Sequence, residues 1–348
     1  MKLLKYLLYI LGSLLFLFAL FLGYFTLKDY KPETRSAVPG QLSQQTYNLD
    51  TLHILNWNLG YAGLGEDMSF FYDGGDKVRT SLQQTRENLG AIQTFLKHQQ
   101  GIDCFLLQEV DTASRRSYGI HQLKALDSVL PAYHSYFATN YHVDFVPKPF
   151  TKPLGKVRAG LATFSHRLPA QNTRYSFPGN YVWPLRLFML DRCFLVTAFN
   201  LENGNQLLII NTHNSAYDNG ALKSLQMEFL KEYLTTEYHK GNYIIVGGDW
   251  NQFPPGIKKY QDEYDLNKTT LIPSDYIPQD WTWAVDYNTP TNRSLEAPLN
   301  DKSRKAIIDF YLVSPNIKVL NVNTINLGFK HSDHQPVLGT FVLKGCHS

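Results

Sequence analysis

The chain has 348 residues, of which 44% are apolar and 18% charged, a composition that excludes a disordered polypeptide and is ample for one large domain or two small ones. A net charge of +3 supplies no marked basic surface, so bulk electrostatics make no case for nucleic acid, although they do not exclude a nuclease. The three cysteines, Cys104, Cys193 and Cys346, are too widely spaced for a metal motif; Cys104 reads as core packing, and a Cys193–Cys346 disulfide is open to the chain outside the cytoplasm.

The first predicted element is an uninterrupted apolar run from Tyr6 to Leu27. As a helix rising 1.5 Å per residue it spans about 33 Å, enough for a bilayer core. Lys2 and Lys5 precede it and favour an N-terminus inside, while Lys28, Lys31 and Arg35 follow it. Residues 1–27 are therefore expected to be an uncleaved membrane anchor, with the rest of the chain outside the cytoplasm. A cleaved signal peptide is the rival; the length of the run and the lack of a small-residue cleavage site count against it. No polar stripe marks the run as a core helix. Residues 28–50 are polar, with Pro32, Pro39 and Gly40, and read as a linker.

From residue 51 to 345 the pattern is that of one globular domain. Strands are predicted at His53–Asn58, Asp103–Gln108, Gln206–Asn211, Tyr243–Gly247, Ile307–Val313 and Pro336–Val342. Leu82, Leu89, Ile92 and Phe95 share one helical face that closes near Gly101. Leu123, Leu126 and Leu130 mark a short helix, and Leu222, Leu225, Phe229 and Tyr233 a longer one. Strands and helices mix without a strict β-α-β rhythm, so a layered α/β sandwich is expected rather than a barrel. Residues 139–205, rich in Pro, Tyr and Phe, and residues 252–305 resist assignment.

The chemistry gathers where these strands end. Gly248-Asp249-Trp250-Asn251 follows an apolar strand, and Asp249 and Asn251, two apart, share a face in extended chain. An acid and an amide so placed can orient a water and hold a phosphoryl oxygen, or they can form an ordinary polar turn. Asp309 interrupts the apolar run Ile307–Val313 and needs a partner to offset desolvation, which an imidazole N–H would supply. His334 follows Asp333, and pairing with an acid would fix its tautomer and raise its pKa. Asn58 and Glu109 close two more strands with oxygen donors that suit Mg²⁺ or Mn²⁺. His213 closes another. Each alone could simply cap its strand; six strands ended or interrupted in this way make one site the better explanation.

In order, Asn56-Trp57-Asn58, Gln108-Glu109, Asn211-Thr212-His213, Gly248-Asp249-Trp250-Asn251, Ile308-Asp309-Phe310 and Ser332-Asp333-His334 resemble the endonuclease/exonuclease/phosphatase superfamily. That family includes DNase I-like nucleases, sphingomyelinases and inositol polyphosphate 5-phosphatases, and the resemblance covers about residues 50–345. It implies a four-layer α/β sandwich with two central β-sheets flanked by helices, and a divalent-metal phosphate-ester hydrolase. It further implies Glu109 as the main Mg²⁺ ligand (Mn²⁺ as the alternative) with Asn58 in support, and Asp333 near that metal or a second one. By the same resemblance Asp249 orients the attacking water, Asn251 holds a phosphate oxygen, His213 and His334 contact the phosphate, and Asp309 orients His334. Pro290-Thr291-Asn292-Arg293 reads as a substrate loop with Arg293 on phosphate, a solvated loop arginine being the plainer alternative. Ala306–Phe310 lacks the Pro-Ala-Trp-Cys-Asp-Arg type run of the 5-phosphatases, and Arg304-Lys305-Ala306 lacks the Trp-Arg of abasic-site endonucleases.

The anchor favours a lipid headgroup, of the sphingomyelin type, as substrate. Tyr181, Trp183, Trp281 and Trp283 are then either interfacial aromatics or loop packing. An extracytoplasmic nuclease on the same machinery is the second expectation, and a tethered binding module without catalysis the third. No protein partner is inferred.

Overall fold

Asn58, Glu109, His213 and Asp249 stand at the ends of four strands that two facing sheets bring together. The computed structural model describes residues 1–216, 220–258 and 270–345. In chain order they form α1 (Lys2–Lys28), β1 (Arg35–Ala37), β2 (Thr46–Tyr47), β3 (Thr51–Asn58), α2 (Leu82–His98), β4 (Cys104–Asp111), α3 (Gln122–Asp127), β5 (His134–Val146) and β6 (Gly155–Ser165). There follow β7 (Gln171–Ser176), β8 (Cys193–Leu201), β9 (Gln206–His213), α4 (Ala221–His239), β10 (Tyr243–Asp249), β11 (Thr282–Ala284), β12 (Asn292–Arg293), β13 (Lys305–Ala306), β14 (Asp309–Val313), β15 (Ile317–Thr324) and β16 (Val337–Leu343). Cys346, and with it the Cys193–Cys346 pairing, lies outside the described residues.

One sheet has the order β15-β16-β3-β4-β6-β5, the other β1-β7-β8-β9-β10-β14-β11 with β2 beside β8. Their strands are apolar on both faces, with alternate residues serving different layers. Ile54, Leu106, Ile209 and Ile245 fill the layer between the sheets. Their neighbours Leu55, Phe105 and Leu107 face outward onto Leu89, Ile92 and Leu96 of α2 and Leu126 of α3. Leu208, Ile210, Ile244 and Val246 face the other way onto Met227, Leu230 and Leu234 of α4. The result is four layers, helix-sheet-sheet-helix. Each fully buried Leu, Ile or Phe contributes about 1.5–3 kcal/mol, so this alternation accounts for most of the drive to stack the layers.

α2 starts where Ser81 accepts a hydrogen bond from the Gln84 amide (3.0 Å), and it ends at His98, where Gln99, two residues before Gly101, turns extended. α4 forms as predicted, but its buried face is Lys223, Gln226, Met227, Leu230 and Leu234, with Leu225 exposed. The predicted stripe is thus one position out of phase. The unassigned stretch 139–205 holds the rest of β5 and all of β6, β7 and β8. In β5, breaks in register between Thr139 and Tyr141 and between Val143 and Val146 destroy the two-residue period by which a strand is recognised. The segment read as a linker adds β1 to a sheet edge and β2 beside β8.

Candidate active site

Strand register assembles the site. Asp249 has His213 as its Cα partner on the parallel strand β9 and Asp309 on the antiparallel strand β14. In the facing sheet Asn58 pairs with Gln108. The two sheets are joined beneath the site by buried amides. Gln108 Nε2 donates to Asn56 Oδ1 and Asn211 Oδ1 (both 2.8 Å), and Asn56 Nδ2 donates to the Gly248 carbonyl (3.2 Å). Side chains from both sheets are thereby held in one polar cluster at the carboxyl ends of β3, β4, β9 and β10, where open α/β sheets place their ligands.

Asp249 is the hub. Its Oδ2 accepts from Asn58 Nδ2 at 2.9 Å and lies 3.3 Å from His213 Nε2 and 3.8 Å from His334 Nε2. Its Oδ1 accepts from the Asn251 backbone N–H at 2.9 Å. Asp249 and Asn251 both line the cleft, as expected, but through a turn rather than extended chain, because Asn251 has φ +50°. Asn251 Nδ2 also donates to the Asn214 carbonyl at 3.0 Å. His334 Nδ1 donates to Asp309 Oδ2 at 2.8 Å, the partner that a carboxylate at the head of β14 requires. Two amides, Ile308 N–H (3.0 Å) and Asp309 N–H (3.1 Å), donate to Thr291 Oγ1 and fix that strand start. Ser332 ties the last motif to β3: its hydroxyl donates to the Asn58 carbonyl (2.9 Å) and accepts from the His334 amide (3.1 Å).

The two imidazoles differ in charge. Burial works against a cationic His334, but the carboxylates of Asp309, Asp333 and Asp249 outweigh it and hold the ring well above its ordinary value, so it is protonated at neutral pH. Burial, with the cations Arg192, His334 and Arg116, holds His213 well below its ordinary value, so it is neutral. Burial pushes Asp249 up to about 6 against the pull of His334, and Asp333 up to about 7, where Glu109 adds to the rise.

This excess of buried negative charge fits a cation. Asp249, Asp309 and His334 bring ligand atoms within 4.8 Å of one another, but Asp309 is engaged with the ring, and a protonated ring is no ligand. Oxygen donors remain on Asn58, Glu109 and Asp333. Glu109 sits in the register break of β4 against β6 with φ +54°, a left-handed conformation unusual for glutamate that turns it into the cleft. Asn58 Nδ2 donates to its Oε1 over a long 3.5 Å. Asp333 is buried with Oδ1 unpaired. A hard divalent ion at these oxygens would relieve both carboxylates.

Arg293 is not on a solvated loop. It lies in β12 with 1% exposure, donates from Nη2 to the Gly65 carbonyl (2.6 Å) and from Nη1 to Ser294 (3.0 Å), and its charge lowers the pKa of Asp333. Its neighbour Asn292 was not singled out, yet its Nδ2 is 3.0 Å from His334 Nε2. Arg116 was missed too: it forks onto Asp111 and covers the Tyr61 ring at 3.7 Å, and both Arg116 and Tyr61 line the cleft. No spacing rule links these residues to the motifs; only the fold does. The rest of the cleft wall is mixed: Leu64, Phe70, Tyr72, Leu154, Met189 and Leu190 give it an apolar part, and Asp73, Asn140, Arg192, Glu296 and Arg304 a polar one.

The family model described as the endonuclease/exonuclease/phosphatase family matches residues 55–334. No curated protein sequence matches the chain. Among solved structures, an endonuclease/exonuclease/phosphatase from Beutenbergia cavernae is similar with TM-score 0.59 and 16% identity, over 86% of this chain and 73% of that one. ANGEL2, a 2',3'-cyclic phosphatase solved with adenosine-2',3'-vanadate, gives 0.56 and 15% over 90% and 100%. TDP2 from D. rerio, complexed with a single-strand DNA product, gives 0.54 and 13% over 84% and 98%. At these identities the likeness shows the fold, two facing sheets flanked by helices.

Proposed function

The chain belongs to the endonuclease/exonuclease/phosphatase family, and from that premise we propose that it is a membrane-anchored, divalent-metal-dependent phosphodiesterase acting outside the cytoplasm, with a phospholipid of the sphingomyelin type as preferred substrate. Hydrolysis of phosphate esters is the family's activity. The observation that carries the assignment to this cleft is the convergence of Asp249, His213 and the Asp309–His334 pair around one point beside Glu109.

Asp249, largely ionised at neutral pH, is the group that orients water for in-line attack on phosphorus. Asn251 and neutral His213 offer hydrogen bonds to the non-bridging oxygens. Cationic His334, held by Asp309, faces the charge that develops as the ester bond breaks. Asn58, Glu109 and Asp333 would hold Mg²⁺ or Mn²⁺, which supplies polarisation of the phosphoryl oxygen when bound. Arg293 acts on this centre through Asp333. The apolar part of the wall favours a lipid over a polynucleotide, and two cleft arginines are already committed, Arg116 to Asp111 and Arg304 to Glu296. An extracytoplasmic nuclease is the second reading, since Arg192 and Arg293 also bring positive charge to the cleft.

The test is hydrolysis by the purified full chain of phosphomonoesters, soluble phosphodiesters, plasmid DNA and sphingomyelin vesicles, with Mg²⁺, Mn²⁺ or EDTA. Headgroup release that EDTA abolishes is expected, with turnover lowered about 10²–10⁴-fold in Asp249→Ala. Cleavage of DNA without headgroup release would replace the lipid by the nuclease reading. Activity at background, equal in wild type and Asp249→Ala, would make the chain a tethered binding module.

A further inference from the structure

Resting on the membrane-anchored reading above, we propose that residues 179–190 and the tip of the β5–β6 hairpin form a bilayer-docking face. By this proposal α1 holds that face at the membrane surface, and the adjoining cleft takes its lipid from the same leaflet.

The position of α1 sets the depth. From Lys2 to Leu20 it is exposed throughout, and its one buried residue is Phe25. Its last turns pack on the domain. Phe21 and Phe25 lie 6.0 and 5.4 Å from the Phe188 ring, and Phe25 lies 6.4 Å from Phe145 at the end of β5. Trp183 Nε1 donates to Thr26 Oγ1 at 3.1 Å, Arg186 pairs with Asp29 at 3.3 Å, and Tyr30 stacks on His142 at 4.9 Å. Thr26 is one residue short of the end of the apolar run. The Trp183 indole therefore sits at the depth where hydrocarbon gives way to headgroups, the level that tryptophan prefers.

The surface at that depth is apolar and uncovered. Outside α1, the two most exposed large apolar side chains among the described residues are Phe150 at 84% and Val182 at 81%; Trp183 and Leu185 are exposed beside the latter. Phe150 stands on the β5–β6 tip among the exposed Lys148, Lys152 and Lys156. An apolar tip ringed by lysines matches a headgroup layer: the ring inserts and the ammonium groups meet the phosphates.

The same segment reaches the cleft. Tyr141 donates its hydroxyl to the Phe188 carbonyl at 3.0 Å, and the next two residues, Met189 and Leu190, line the cleft with Leu154, His213 and His334. The residue that touches the anchor and the first residue of the cleft wall are thus adjacent in the chain. A lipid leaving the bilayer along this face meets Val182, Trp183 and Leu185 and then Met189 and Leu190 at the cleft.

The full chain reconstituted in phosphatidylcholine vesicles carrying sphingomyelin tests this in two ways. Lipid-borne bromine should quench a share of tryptophan fluorescence that disappears in Trp183→Phe; equal quenching in both proteins would overturn the docking. In Phe150→Asp/Val182→Asp, whose side chains have almost no packing to lose, hydrolysis of vesicle lipid should fall about tenfold or more, the scale of placing a charge at an apolar interface. Hydrolysis of a soluble nitrophenyl phosphodiester should not change. Full retention of vesicle hydrolysis would overturn the docking and leave the phosphodiesterase reading standing. Absence of hydrolysis of either substrate by the wild type would overturn that reading, and fluorescence quenching would still decide the docking.

Discussion

A polar side chain buried in an apolar strand costs free energy until a partner pairs with it. Asp309 at the head of β14 has 1% exposure and finds that partner in the His334 ring; Glu109 turns into the cleft on a left-handed backbone. Legibility stopped at residues whose partners are set by the fold alone. Arg116 over Tyr61 carries no signal in its own neighbourhood, and the substrate-loop reading of 290–293 did not reach the pairing of Asn292 with His334. Asp191 is another such residue, and it bears on stability. Burial pushes its carboxyl up to about 7, with Asp29 at the end of α1 adding to the rise and Arg174 and Arg186 opposing it. Between the ordinary value of 3.8 and about 7, the folded chain keeps a proton that the unfolded chain has released. Stability is therefore lost as pH rises through that window and is constant in this respect above it. Asp191→Asn removes the effect and keeps an oxygen to accept from Asn180 Nδ2. Its melting temperature in detergent should fall less than that of wild type across the window and lie above it at higher pH. Parallel curves for the two proteins would remove Asp191 from the account.

At the scale of elements, β3, β4, β9 and β10 were readable because burial on both faces makes each a continuous apolar run. β5 and β15, with polar residues and exposed positions, were not. The glycine pair Gly247-Gly248 has a structural reason that sequence left open. A Cβ on Gly248 would lie 2.0 Å from the Thr212 carbonyl oxygen, which belongs to the backbone of β9 and cannot turn aside. Gly248→Ala must therefore push β10 away from β9, and the next residue pair along these strands is Asp249 with His213. The overpacking should cost about 1–3 kcal/mol in urea unfolding. A displacement of about 1 Å at Asp249 should lower turnover about 10²-fold. Turnover at the wild-type level in a stably folded Gly248→Ala protein would show that the spacing of β9 and β10 does not position the site.

Strand order is a property of the whole molecule, and it was beyond the reach of local pattern. The sheets alternate along the chain, and buried amides, Asn56 and Gln108 from one sheet and Asn211 from the other, decide how they face. That arrangement concentrates Glu109, Asp249, Asp309 and Asp333 around His334, with two of the acids raised to about 6 and about 7 by burial. The domain folds against this repulsion, so a cation that binds only the folded state must stabilise it. At 100 times its Kd, Mg²⁺ would add about 2.7 kcal/mol, a shift of a few degrees in Tm for a domain of this size. Glu109→Gln should behave in the opposite sense in two respects. Without metal it should melt above wild type, because the charge that adds to the burial-driven rise at Asp333 is gone. With metal it should show little further shift, because the ligand is gone. Calorimetry of the two proteins with and without Mg²⁺ separates this from a generic salt effect, which would move both equally. Equal shifts would mean that the ion does not sit at Glu109, and the excess of buried carboxylate would then need another source of relief.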